Sequence, residues 1–103
     1  MKVEQLENKN QFIILGNDGE IEFQSYNSRI ARISKCGALE LSTRWDYSKT
    51  TLKHLYLFLN KYLYNLDSFI RYDIKEILLY SKNKRKDIQK LIDDERIFTS
   101  LQY

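Results

Sequence analysis

Trp45-Asp46-Tyr47-Ser48-Lys49-Thr50-Thr51 is the stretch where the sequence changes period, and that change decides the fold. On its N-terminal side apolar residues recur at every second position. Ile21 and Phe23 alternate with Glu20, Glu22 and Gln24, and Leu39 and Leu41 alternate with Glu40 and Ser42, as half-buried strands do. On its C-terminal side Leu52, Leu55, Tyr56, Leu59, Tyr62, Leu63 and Leu66 fall on one helical stripe.

Towards the N-terminus the punctuation is regular. An apolar run at 12–15 precedes Gly16-Asn17-Asp18-Gly19, a turn signal because Gly and Asn tolerate positive φ. Tyr26-Asn27-Ser28-Arg29 makes the next tight turn, with Asn27 expected in the left-handed region. Ile30, Ala31 and Ile33 form a third strand, and Cys36-Gly37 turns the chain into a fourth. Connections this short require antiparallel neighbours. The expectation is a four-stranded antiparallel meander over about residues 11–43, packed against two or three C-terminal helices in a single α+β domain, 1–103.

Towards the C-terminus the first helix is expected over about 48–64, capped by Asp46 or Ser48. A second fits 68–81, capped by Asp67 or Ser68, with Ile70, Ile74, Ile77 and Leu78 inward. A third fits 84–95, capped by Asn83, with Ile88, Leu91 and Ile92 inward. The chain has no proline, so one helix over 70–95 is the alternative. Residues 97–103 read as a short strand or a frayed end.

Composition excludes several classes. Apolar residues make up 43% and charged residues 30%, which argues against disorder. The one cysteine, Cys36, excludes an internal disulfide and suits a reducing compartment. The polar start shows no secretory signal, and the apolar runs at 55–59 and 77–80 fall far short of the roughly 20 residues of a membrane span. A cytoplasmic protein is expected. The formal charge of +3 permits nucleic-acid binding without requiring it. Eight tyrosines fit either a binding surface or the codon usage of an AT-rich genome.

Nothing in the sequence assembles into known catalytic machinery. His54 is the only histidine and has Thr50, Thr51 and Lys53 as its polar neighbours, so a surface or edge position is expected rather than a general base. Cys36, beside Lys35, reads as an inert thiol. Asp93-Asp94-Glu95 splay around a helical turn instead of converging on a cation, and Gly16-Asn17-Asp18-Gly19 lacks the Lys-Ser/Thr of a phosphate loop. The expectation is a chain without catalytic residues, cofactor or metal.

The basic segment is the least expected feature. Lys82, Lys84, Arg85, Lys86 and Lys90 against Asp87 give 5 − 1 = +4 over residues 82–90. Bases at a helix N-terminus and acids at its end oppose the helix dipole. Contact with phosphates, contact with an acidic protein surface and a solvated turn all fit, and the joint at 81–83 also admits a helix-turn-helix. Tyr80 is the candidate aromatic anchor beside this segment. Tyr26, Asn27, Trp45 and Tyr47 form a second candidate surface, although a structural role is equally served: Trp45 as the corner anchor, Asn27 as the hairpin turn.

Phe23-Gln24-Ser25-Tyr26-Asn27-Ser28-Arg29-Ile30-Ala31 and Trp45-Asp46-Tyr47-Ser48-Lys49-Thr50-Thr51 resemble the FQSYNS-x-IA and WDYS-x-TT motifs of small, mostly uncharacterised proteins of phages, plasmids and other mobile elements of low-GC Gram-positive bacteria. Lys86-Asp87-Ile88-Gln89-Lys90-Leu91-Ile92 resembles their closing helix, so the likeness spans about 12–97. The resemblance implies a genomic setting and no chemistry. Its expectation is a non-enzymatic protein that binds and inhibits a host protein or nucleoprotein, an RNA-guided nuclease (an anti-CRISPR role) being the concrete version. The alternative is a DNA- or RNA-binding accessory protein that uses residues 82–90.

Overall fold

The computed structural model describes residues 2–5, 10–26 and 28–101. Five strands follow one another, β1 (Lys2–Gln5), β2 (Gln11–Leu15), β3 (Ile21–Ser25), β4 (Ser28–Ile33) and β5 (Leu39–Ser42). Three helices come next, α1 (Lys49–Lys61), α2 (Ser68–Tyr80) and α3 (Lys84–Asp93), with a 3-10 turn at Leu63–Asn65 between the first two. A last strand, β6 (Phe98–Leu101), returns to the sheet. The strand order is β1-β2-β3-β4-β5-β6.

The α+β class and the antiparallel run from β2 to β5 are as the periodicity predicts, but the sheet is larger and mixed. β1 adds to one edge. Its only apolar residue, Val3, is 57% exposed, so it carries no alternation for a sequence reading to detect. β6 adds to the other edge, parallel to β5. A parallel partner requires a long crossover, and the three helices between β5 and β6 supply it.

The pleat sorts the sheet into two faces. Leu15, Ile21, Ile33 and Leu39 align in one row across β2–β5, and Ile13, Phe23, Ala31 and Leu41 in the next. Between Phe23 and Gln24 the register with β4 slips, leaving Ile30 as an extra residue that still turns inward and is buried. On this face lie Leu55, Phe58 and Leu59 of α1, Ile70 and Ile74 of α2, and Ile88 and Leu91 of α3. Phe58 stacks on Phe23 at 5.6 Å between ring centres. The opposite face carries ion pairs: Glu22 with Arg29 at 2.9 Å, and Arg32 with Glu40 at 2.6 Å.

The helices start and stop where local chemistry dictates. Ser48, not Asp46, caps α1 by accepting the Thr51 N–H at 3.1 Å. Asp67 caps α2 and Asn83 caps α3. Ser81 is extended, with ψ 134°, which ends α2 and rules out a single helix over 70–95. α3 stops at Asp93. Its last carbonyls are met by Glu95 N–H to Ile92 and Arg96 N–H to Leu91, with Glu95 left-handed at φ 60°. Asp94 and Glu95 therefore lie beyond the helix rather than in it.

A cleft and a basic, aromatic surface as candidate functional sites

The two motif stretches come together. The β3–β4 hairpin and the corner leading into α1 enclose a cleft of about 490 Å³ lined by Ser25, Tyr26, Ser28, Ile30, Arg44, Tyr47, Ser48, Thr50 and Thr51. Seven of those nine residues carry a hydroxyl, none is acidic, and Arg44 is the one cation. Tyr26 and Tyr47 are largely exposed at its rim, and the Arg44 guanidinium sits 5.8 Å from the centre of the Tyr47 ring. Trp45 does not share that surface: it is 3% exposed and supports the corner from inside the core. Asn27 lies outside the described residues.

The cleft exists because the inward rows of the sheet become polar at one end. Beyond Ile13 and Phe23, the next inward pair across β2 and β3 is Gln11 and Ser25. Both are buried, Ser25 at 4% exposure, and neither the Gln11 amide nor Ser25 Oγ has a hydrogen-bond partner among the described residues. Buried polar atoms left unmade cost about 1–3 kcal/mol each, so such a pair calls for an explanation. The hairpin is also strained. Tyr26 occupies the left-handed region, at φ 57°, which is unfavourable for a bulky side chain, and the expectation for Asn27 falls outside the described residues. The Tyr26 N–H is held by Asn10 O at 2.6 Å.

The basic segment forms a separate surface. A shallow groove along α3 is lined by Lys82, Asn83, Arg85, Lys86, Asp87, Gln89, Lys90 and Asp93. Arg85 is not available as a simple phosphate contact, because it pairs with Asp46 at 2.6 Å and ties α3 to the corner before α1. Lys82, Lys84, Lys86 and Lys90 have no ion pair among the described residues. Asp87 accepts from the Ser81 hydroxyl at 2.5 Å, and together with the Asn83 cap this anchors a helix start that the dipole disfavours.

Tyr80, 73% exposed, belongs to a longer feature that the sequence alone did not single out. Phe69, Tyr72, Leu79 and Tyr80 are all exposed. At 3.6 residues per turn they lie within about 100° of the circumference of α2, roughly opposite its buried Ile70, Ile74 and Ile77. At the start of the stripe, Phe69 shares a small hollow with Phe98 of β6.

His54 departs from its expected surface position. It is 3% exposed, and its Nδ1 lies 2.8 Å from Thr50 O. The ring is held by the backbone of α1, and His54 is not part of the cleft lining. Cys36 is exposed in the β4–β5 turn, and the Ser34 hydroxyl at 3.1 Å pulls its thiol below the ordinary range. Among the described residues no group of three His, Cys, Asp or Glu side chains is placed to hold a metal ion. Among them, too, no helix is long and apolar enough to cross a membrane.

A family model, described as a family of unknown function (DUF8033), matches residues 1–77. The matched segment contains every residue of the cleft lining and ends before Lys82. No curated protein and no solved structure matches the chain.

Proposed function

The chain belongs to DUF8033, a family of unknown function, and since that membership supplies no activity we propose, from its surface, that it is a non-enzymatic protein that works by docking on a macromolecule of its host cell. The observation that carries this reading is the solvent-facing side of α2. Phe69, Tyr72, Leu79 and Tyr80 stand in solvent directly before a run of lysines that have no ion pair among the described residues. Glu76 falls between Tyr72 and Tyr80 on this face, so the exposed rings are separate anchors rather than one continuous apolar patch. Aromatic anchors followed by a lysine-rich segment suit a partner with apolar pockets beside an acidic surface, the charge speeding encounter and the rings supplying affinity. Stoichiometric inhibition in the cytoplasm, with an RNA-guided nuclease as the concrete partner, is supported by the motif resemblance alone.

Two variants test the reading. Lys82→Glu, Lys86→Glu and Lys90→Glu together reverse the charge while sparing the Arg85–Asp46 pair. Tyr72→Ala with Tyr80→Ala removes the anchors. Both are expected to fold, and both are expected to lose whichever host protein the wild-type chain retains after nuclease digestion. Retention of the same protein by both variants refutes the assignment. Loss of the partner on digestion, with steep weakening in salt, favours the nucleic-acid reading, for which the four lysines are the specific support.

A further inference from the structure

We propose that the cleft between the β3–β4 hairpin and the α1 corner binds a phosphate monoester carried on a flat ring, a 5′-mononucleotide in chemical class. This inference is independent of the α2–α3 docking surface. Three observations converge on an anion. The lining contains Arg44 and no carboxylate. The cleft includes the first turn of α1, with Ser48 at the cap and Thr50 and Thr51 in the turn; α1 has no acid there to satisfy its dipole. Ser48 takes the Thr51 N–H with its side chain and the Leu52 N–H with its carbonyl, so the earlier N–H groups of the turn remain oriented outward.

The third observation is independent of the helix. Ser25 lines the same cleft from the sheet side, and its buried Oγ has no partner among the described residues. A hydroxyl in that state is a donor held ready for an acceptor. Arg44, the Thr50 N–H and Ser25 together offer a cation and neutral donors from two sides, which is the donor set an oxyanion requires. The flat ring follows from the rim. Tyr26 and Tyr47 present two largely exposed aromatic faces, and the lining adds one apolar wall, Ile30. The strained φ of Tyr26 holds its ring at that rim at a cost to the hairpin. A volume of about 490 Å³ suits a ligand of mononucleotide size.

The test is a titration of the full chain followed by amide NMR, with inorganic phosphate, adenosine and adenosine 5′-monophosphate as probes. The monophosphate is expected to give saturable shifts at Ser25, Ser48 and Thr50, with phosphate and adenosine each binding more weakly. Arg44→Gln and Ser25→Ala are each expected to weaken the monophosphate by about tenfold or more, the effect of one hydrogen bond to a charged group. Lys86→Glu is expected to leave it unchanged. Adenosine binding as tightly as its monophosphate overturns the proposal. So do shifts confined to residues 82–90, or affinity that survives both cleft variants.

Discussion

Replacing Tyr26 should stabilise the protein while damaging the cleft. The residue sits at φ 57° in the two-residue loop between paired Ser25 and Ser28. For a side chain with a Cβ that conformation costs about 1–2 kcal/mol. Asn tolerates it through local hydrogen bonding, so Tyr26→Asn should recover about 1 kcal/mol. Tyr26→Gly removes the strain as well, but ordering glycine costs about 0.5–1 kcal/mol, so its net gain should be smaller. The backbone bond from Tyr26 N–H to Asn10 O survives in both. For a domain of this size 1 kcal/mol corresponds to about 4 °C in Tm. Urea and thermal unfolding should therefore rank Asn above Gly above wild type, with an unchanged denaturant slope. Tyr26→Phe should not move the midpoint. If both Asn and Gly lower the midpoint, the ring holds the hairpin by contacts worth more than the strain, and the argument that the strain serves the rim fails.

Other sites give equally direct outcomes. A Cβ on Gly37 would lie 2.5 Å from Asp67 N, at the cap of α2, and Gly37 has φ +92°; Gly37→Ala should cost about 3 kcal/mol from left-handed strain and overpacking together, read by chemical denaturation. Gln11→Met keeps the shape and removes the buried amide whose two polar atoms lack partners, so it should stabilise by about 1–2 kcal/mol in the same assay, and destabilisation would mean the amide is satisfied in solution. The Ser34 hydroxyl and the Ala38 N–H lower the Cys36 thiol pKa, so its thiolate persists to lower pH than in an unperturbed cysteine. Ser34→Ala should shift the pH profile of Cys36 alkylation upward, slowing it near neutrality and leaving the alkaline plateau unchanged.

The meander and the helices were legible because burial on one face writes a period into the sequence. Phe23, Ala31 and Leu41 align as the alternation requires, and Leu55, Leu59 and Leu63 follow the helical stripe into the core. β1 was not legible, because an exposed edge strand is selected for backbone pairing and not for apolar residues. The parallel entry of β6 depends on where three helices deliver the chain, which no local pattern records. For the cleft, the signal was present in kind. Gln11 and Ser25 occupy inward positions of strands whose other inward residues are apolar. Polar residues at core positions mark a place where something other than packing is being served. The partnership of Arg85 with Asp46 spans 39 residues and was invisible to a reading of local charge.

The parallel pairing of β5 with β6 also sets an order of assembly. Each hairpin from β2 to β5 closes across a few residues, whereas joining β6 to β5 closes residues 43–97, a loop of 97 − 42 = 55 residues. The length-dependent entropy of closing such a loop is about 3.5 kcal/mol, and it must be met before the new ladder contributes. The meander and α1 can therefore collapse first around Phe23 and Phe58, with β6 locking last. Substitutions in β3 should then slow folding, whereas substitutions in β6 should chiefly speed unfolding. The same edge is expected to open first in native-state hydrogen exchange, releasing Phe98 from its place beside Phe69 while the rest of the sheet stays closed.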